Sequence, residues 1–140
     1  MHAFVSGHVD IDETEFLAHY ADRLDAAIAA GHSFVLGNAQ GTDTLALRYL
    51  LSALGQEADA RVRVAFYSAY MQPSDYDIPP AALIPQTFTS NAKRDAYLTQ
   101  ISDYDIAWVR SEAASRALYG DKYRASRVSG TQKNLLRRAQ

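Results

Sequence analysis

The chain contains no cysteine, which excludes disulfide staples, thiolate nucleophiles and cysteine metal sites. It also lacks any run of roughly eighteen apolar residues, and no basic segment at its amino terminus leads into a long apolar stretch. Neither a membrane span nor a secretory signal is therefore expected, and the cytoplasm is the default address. The histidines His2, His8, His19 and His32 fall without HExxH or HxH spacing, so no metal site is predicted. Three further motifs are missing: GxSxG of the hydrolase elbow, GxGxxG of dinucleotide folds and GxxxxGK[ST] of the P-loop. Serine-hydrolase and P-loop ATPase chemistry are unsupported, and no resident cofactor is expected.

What remains is a 140-residue chain, enough for one core and too little for two, so residues 1–140 read as a single domain. Its net charge of -2 conceals a basic last third carrying Arg110, Arg116, Lys122, Arg124, Arg127, Lys133, Arg137 and Arg138. With the whole chain near neutral, that patch favours an anionic small molecule over a polynucleotide.

Hydrophobic spacing sets the order of elements. Ala3 to Ser6 reads as a strand, followed by a helix opened by Asp12 with Glu15 three residues on; Phe16, Leu17, Tyr20, Leu24, Ala27 and Ile28 give it one apolar face. Ser33 to Leu36 is a second strand, and Thr42 to Leu54 a second helix with Leu45, Ala46, Tyr49, Leu50 and Ala53 inward. Val62, Val64 and Phe66 alternate with Arg61, Arg63 and Ala65, which reads as a partly exposed strand at the sheet edge. Prolines 73, 79, 80 and 85 predict a long loop at about 70–88, holding Tyr70, Asp75, Tyr76 and Asp77. Asn91 to Ile101 reads as a helix, Tyr104 to Val109 as a strand, 111–128 as irregular, and Gly130 as the start of a terminal helix whose Leu135 and Leu136 need cover. Such alternation predicts an α/β protein, a Rossmann-like three-layer sandwich on a mostly parallel sheet of four to five strands. Ligands of such sheets sit beyond the carboxyl ends of the strands, where the strand order reverses.

The polar stretches expected there carry the chemistry. Gly37-Asn38-Ala39-Gln40-Gly41-Thr42-Asp43 leaves a strand and enters a helix at its positive end, an arrangement suited to phosphate or, more plainly, a tight turn with a Thr42 or Asp43 cap. Ser6 and Gly7 end the first strand beside it, and His8 follows. Arg94-Asp95 places a carboxylate among apolar neighbours, where it needs a partner. Ser129-Gly130-Thr131 opens the last helix and offers a second anion-binding turn or an ordinary serine cap.

Together, Val5-Ser6-Gly7, the segment Gly37 to Ala46, Arg94-Asp95, Ser102-Asp103 and Ser129 to Asn134 resemble the SLOG superfamily of Rossmann-like domains. That group includes YspA-like proteins, the DNA-processing DprA domain, molybdenum-cofactor carriers and LOG-type nucleotide phosphoribohydrolases. The nearest likeness is to the YspA-like group, with its G-[DN]-A-x-G-x-D-x-x-A stretch after the second strand. This resemblance implies a nucleotide or nucleotide-derived ligand. Ser6, Gly7, Gly37, Asn38, Gly41, Thr42, Asp43, Arg94, Ser129, Gly130 and Thr131 would bind it. The LOG hydrolases carry PGGxGTxxE with a catalytic glutamate; here Asn134 stands at that position and cannot act as an anionic catalyst.

The expectation is thus a cytoplasmic binding module serving as sensor, carrier or accessory protein, with homo-oligomer formation plausible for so small a sheet. Two alternatives stand beside it. In one, Asp95 and Asp43 act as catalytic carboxylates on a nucleotide N-glycosidic bond. In the other, the chain is a DNA-associated module of the DprA kind.

Overall fold

A computed structural model of the chain describes residues 1–68, 78–124 and 129–140. Strands β1 (His2–Ser6), β2 (Ser33–Leu36), β3 (Val62–Tyr67), β4 (Leu83–Phe88) and β5 (Tyr104–Ala107) form one all-parallel sheet in the spatial order β4-β3-β2-β1-β5. Helices α1 (Glu13–Ala29), α2 (Thr42–Leu54) and the short α3 (Ala58–Arg61) come before β3, α4 (Asn91–Gln100) joins β4 to β5, and α5 (Glu112–Tyr119) and α6 (Gly130–Arg138) follow. The expected Rossmann-like α/β sandwich is the architecture found, with five strands. Among the described residues, no helix is long and apolar enough to cross a membrane.

Strand alternation divides the interior into two layers. Ala3 and Val5 of β1, Phe34 and Leu36 of β2, Val62, Val64 and Phe66 of β3 and Ile106 of β5 pack with α1 and α2. Their neighbours Phe4, Val35 and Ala65 turn to the opposite face, where Phe88 and Leu98 complete a smaller cluster. Helix α1 earns its place by spacing: Phe16, Tyr20, Leu24 and Ala27 are its buried residues, and the Asp12–Glu15 capping box starts it. Each large side chain buried there stabilises by roughly 1.5–3 kcal/mol.

Several local expectations are corrected. Strand β3 lies inside the sheet, between β2 and β4; Arg61 precedes it as the last residue of α3, its guanidinium bonding the carbonyls of His32 and Ile28, and Arg63, near the strand's amino end, bonds the carbonyl of Asp59. Part of the stretch predicted as a loop at 70–88 is β4, an edge strand whose Pro85 an interior position would not tolerate. Tyr70, Asp75, Tyr76 and Asp77 lie outside the described residues. Residues 112–119, expected to be irregular, are the helix α5, capped by Ser111 and tied by an Arg116–Glu112 pair, yet with no buried residue. Its eight residues are fewer than the span over which a helical period is read. Strand β5 ends at Ala107 rather than Val109, and Leu17, Ala53, Leu135 and Leu136 are exposed.

Candidate functional site

The strand order reverses between β1 and β5, and a cavity of about 350 Å³ opens at their carboxyl ends. This is where open parallel sheets hold ligands. Its walls come from the residues after β1, the first turn of α2, the inner face of α4, the segment leaving β5, and the amino end of α6.

The floor is a buried cluster of charged and polar side chains. Arg94, 4% exposed, directs Nε and Nη2 at Asp95 Oδ1 (3.1 and 3.0 Å) and Nη1 at Asn38 Oδ1 (2.9 Å). Its Nη2 stands 4.0 Å from Asp43 Oδ2, and Asn134 Nδ2 donates to the second oxygen of Asp95 at 3.1 Å. The carboxylate that lacked an evident partner in the sequence thus has two. Asn134 holds Asp95 in place and accepts from Arg137 Nη1 at 2.7 Å. Burial, with the charge of Asp95 adding, pushes the Asp43 carboxyl up to about 7 against the opposing pull of Arg94 and the Ala39 N–H. A carboxyl that titrates near neutrality can donate or accept a proton at the cavity wall. Ser6 Oγ is buried there and has no hydrogen-bond partner among the described residues.

The glycines in VLGNAQGTDTLA serve the protein's own packing. A Cβ on Gly37 would meet the Arg94 guanidinium at 2.5–2.8 Å, so this glycine makes room for a buried arginine. Gly41 adopts φ 70°, the left-handed region that a side chain disfavours, and lies against the carbonyls of His8 and Val9. Two of the turn's donors are engaged: Thr42 N–H bonds the His8 carbonyl at 3.1 Å, and Ala39 N–H bonds Asp43 Oδ2 at 3.0 Å. Asp43 occupies the position an anion would take. Gly7 is likewise closed in, since a Cβ there would meet the Tyr20 hydroxyl and Thr42 Oγ1 at 2.3 Å each.

The Tyr20 hydroxyl pins the crevice. It donates to the Ser6 carbonyl at 2.7 Å and accepts from Trp108 N–H at 3.0 Å, joining the ends of β1 and β5. Burial raises its pKa to about 12, so it remains a donor. His8 Nε2 accepts from Arg110 N–H at 2.9 Å; burial, then the charge of Arg110, lowers its pKa and keeps it the neutral acceptor this bond needs. Arg110 also pairs with Asp10 and Glu15, and Tyr119 hydrogen-bonds Asp10. At the mouth stand Tyr119, Lys122, Tyr123 and Arg124, and neither Lys122 nor Arg124 has a carboxylate partner among the described residues. Among those residues no three His, Asp or Glu side chains are grouped to hold a metal.

Of the residues singled out from the sequence, Ser6, Gly7, Asp43, Arg94, Asp95, Ser129, Gly130 and Thr131 meet around the cavity. Gly37, Asn38, Gly41 and Thr42 do not line it: Gly37 is covered by Arg94, Asn38 ties to the backbone of Tyr67, Gly41 abuts the His8–Val9 backbone, and Thr42 Oγ1 donates to His8. Sequence reasoning missed the roles of Tyr20, Asn134, Arg110 and Tyr119. The alternating aromatic and basic residues from Tyr119 to Arg124 were the one local signal for the mouth. No protein-family model matches this chain, and neither do any curated proteins or solved structures.

Proposed function

We propose that the chain binds a nucleotide or nucleotide-derived ligand in the cavity between the ends of β1 and β5, as a SLOG-type, YspA-like sensor, carrier or accessory module of the cytoplasm. The observation that carries this reading is the cavity at the reversal of the strand order, whose volume of about 350 Å³ suits a mononucleotide-sized guest. Tyr119 and Tyr123 supply aromatic faces, Lys122 and Arg124 supply charge, and the buried carboxyls supply acceptors for hydroxyl or amino groups. Native mass spectrometry against mono-, di- and cyclic nucleotides, deoxynucleotides and nicotinamide adenine dinucleotide tests it. Retention of an intact compound supports the reading, and no retention at millimolar concentration ends it.

One observation favours a second reading, N-glycosidic cleavage or transfer. Asp43 titrates near 7 close to an Asp95 held by Arg94 and Asn134, so the cavity presents one carboxyl able to move a proton and a second, tightly positioned one. Free base released from a nucleotide, and lost in Asp95→Asn, is its expected outcome; unchanged nucleotide after prolonged incubation rejects it.

A further inference from the structure

The cavity has two unlike ends. Its depth is acidic and its cations there are committed: Arg94 is engaged by Asp95 and Asn38, and Arg110 by Asp10 and Glu15. Its mouth is basic, with the exposed Lys122 and Arg124 lacking carboxylate partners among the described residues; Arg124 bonds the carbonyls of Asp121 and Tyr123. The glycine-rich turn, the place where a strand-to-helix entry would ordinarily cradle phosphate, has its Ala39 N–H taken by Asp43 and its Thr42 N–H by His8. A phosphate brought there would face the Asp43 carboxylate and compete with a protein acceptor 3.0 Å from the amide.

The amino end of α6 is a second conceivable anion site. Ser129 Oγ already accepts from Gln132 N–H at 3.1 Å, and Gln132 Oε1 accepts from Ser129 N–H at 3.3 Å, so the reciprocal cap uses two of its donors. Deeper in, Ser6 Oγ is buried without a partner among the described residues, on a wall it shares with Asp43 and Asp95. A hydroxyl with unused hydrogen-bonding capacity beside carboxyl groups suits a neutral, hydroxyl-bearing or amino-bearing group, not a second anion.

We infer, resting on the nucleotide-binding reading, that the cavity is polarised: the anionic end of its ligand lies at the Lys122–Arg124 mouth, and the hydroxyl-bearing or amino-bearing end lies inward against Asp43, Asp95 and Ser6. The glycine-rich turn is then a structural element that seats Arg94 and Asp43, and the phosphate site lies across the cavity from it. A nucleoside 5′-phosphate is the ligand class with this distribution of groups, and Tyr119 and Tyr123, beside the two cations at the mouth, offer aromatic surface there, with one face of Tyr123 covered by Arg116.

The test compares adenosine, guanosine, cytidine and uridine with their 5′-monophosphates, using the wild type and a Lys122→Ala/Arg124→Ala double variant. Isothermal titration is run at low and at physiological salt, with the fluorescence of the sole tryptophan, Trp108, as a second readout beside the cavity. For whichever base binds, the wild type is expected to prefer the monophosphate at least tenfold, a preference that shrinks with salt. In the double variant, whose changes are on exposed side chains, the ratio is expected to fall to near one. Asp43→Asn is expected to weaken the nucleoside and its monophosphate by the same factor, leaving their ratio intact. A phosphate preference that persists in the double variant but collapses in Ser129→Ala puts the anion on α6 and overturns the inference while leaving nucleotide binding standing. Absence of binding by every nucleoside and monophosphate overturns both.

Discussion

The two faces of the sheet are built on different principles. Toward α1 and α2 the layer is apolar, from Ala3 and Val5 through Phe34 and Leu36 to Leu24 and Leu50. Toward α4 and α6 the described residues Phe4, Val35, Ala65, Phe88 and Leu98 form a smaller apolar cluster, edged by the partly buried Ile84, Tyr97 and Ile101, and polar pairs join the rest: Asp95 with Arg94 and Asn134, and Arg138 with Asp105, Ser102 and the Thr99 carbonyl. Single strands express the division, since in β5 Ile106 enters the apolar layer while Asp105 receives Arg138. Apolar packing is tolerant of direction and supplies most of the cohesion, whereas buried charges demand partners in fixed places. One face therefore holds the fold and the other shapes the cavity.

The largest effect expected from breaking this contrast is that of Arg94→Met, which strands Asp43 and Asp95 in the interior. A loss of about 3–5 kcal/mol in urea unfolding at pH 8 is expected, shrinking at pH 5 as the orphaned carboxyls take up protons. Leu24→Ala, on the apolar face, should cost about 2–4 kcal/mol, and by the same amount at both pH values, because no charge is involved. Equal pH dependence of the two variants would dissolve the distinction between the faces.

A smaller effect concerns Asp43 itself. Its carboxyl titrates near 7 in the folded chain and near 3.8 when unfolded, so between these values the folded state binds the extra proton. Its contribution is therefore greatest below about pH 4 and is lost as pH rises through 7. His8, with its pKa lowered from 6.5, works in the opposite direction: as pH falls below 6.5 the unfolded state binds the proton more readily and stability drops. Asp43→Asn should remove the first slope and leave the second, as read from thermal unfolding at intervals between pH 4 and 8.

The smallest effect sharpens the contrast most directly, because α1 and α6 start with the same device. Asp12→Ala and Ser129→Ala each dismantle a capping box, at a cost of about 1 kcal/mol. Helix α1 remains anchored by Phe16, Tyr20 and Leu24, while α6 buries only Thr131 and Asn134. Hydrogen exchange should show the amino-terminal turn of α6 opening markedly in Ser129→Ala and α1 remaining protected in Asp12→Ala.

Much of the architecture was legible along the chain. The periodicities of 13–29 and 42–54, the Asp12 and Ser129 caps, and the apolar strands at 3–6 and 33–36 are local patterns that survive unchanged in the structure. Strand β4 and helix α5 were hidden for different reasons: Pro85 argued against a regular strand that an edge position permits, and α5, at eight residues, is shorter than the span over which a helical period is read. At the cavity, residue types were readable but pairings were not, and Gly37 looked like a cradle for phosphate because Arg94 lies far along the chain.

Alone, the sequence determined strands β1 and β2, helices α1 and α2 with their main apolar faces, and the Asp12 and Ser129 caps, since these depend on neighbours within a few turns. Tertiary structure decided which polar groups meet. Only the packing of α4 against α6 and the sheet sets Arg94 against Gly37 and turns Asn134 into the partner of Asp95, while the first turn of α2 puts Asp43 where a bound anion was expected. Short-range periodicity carries no information about charges brought together from opposite ends of a chain, and in the low dielectric of the interior it is those meetings that settle what a site can hold.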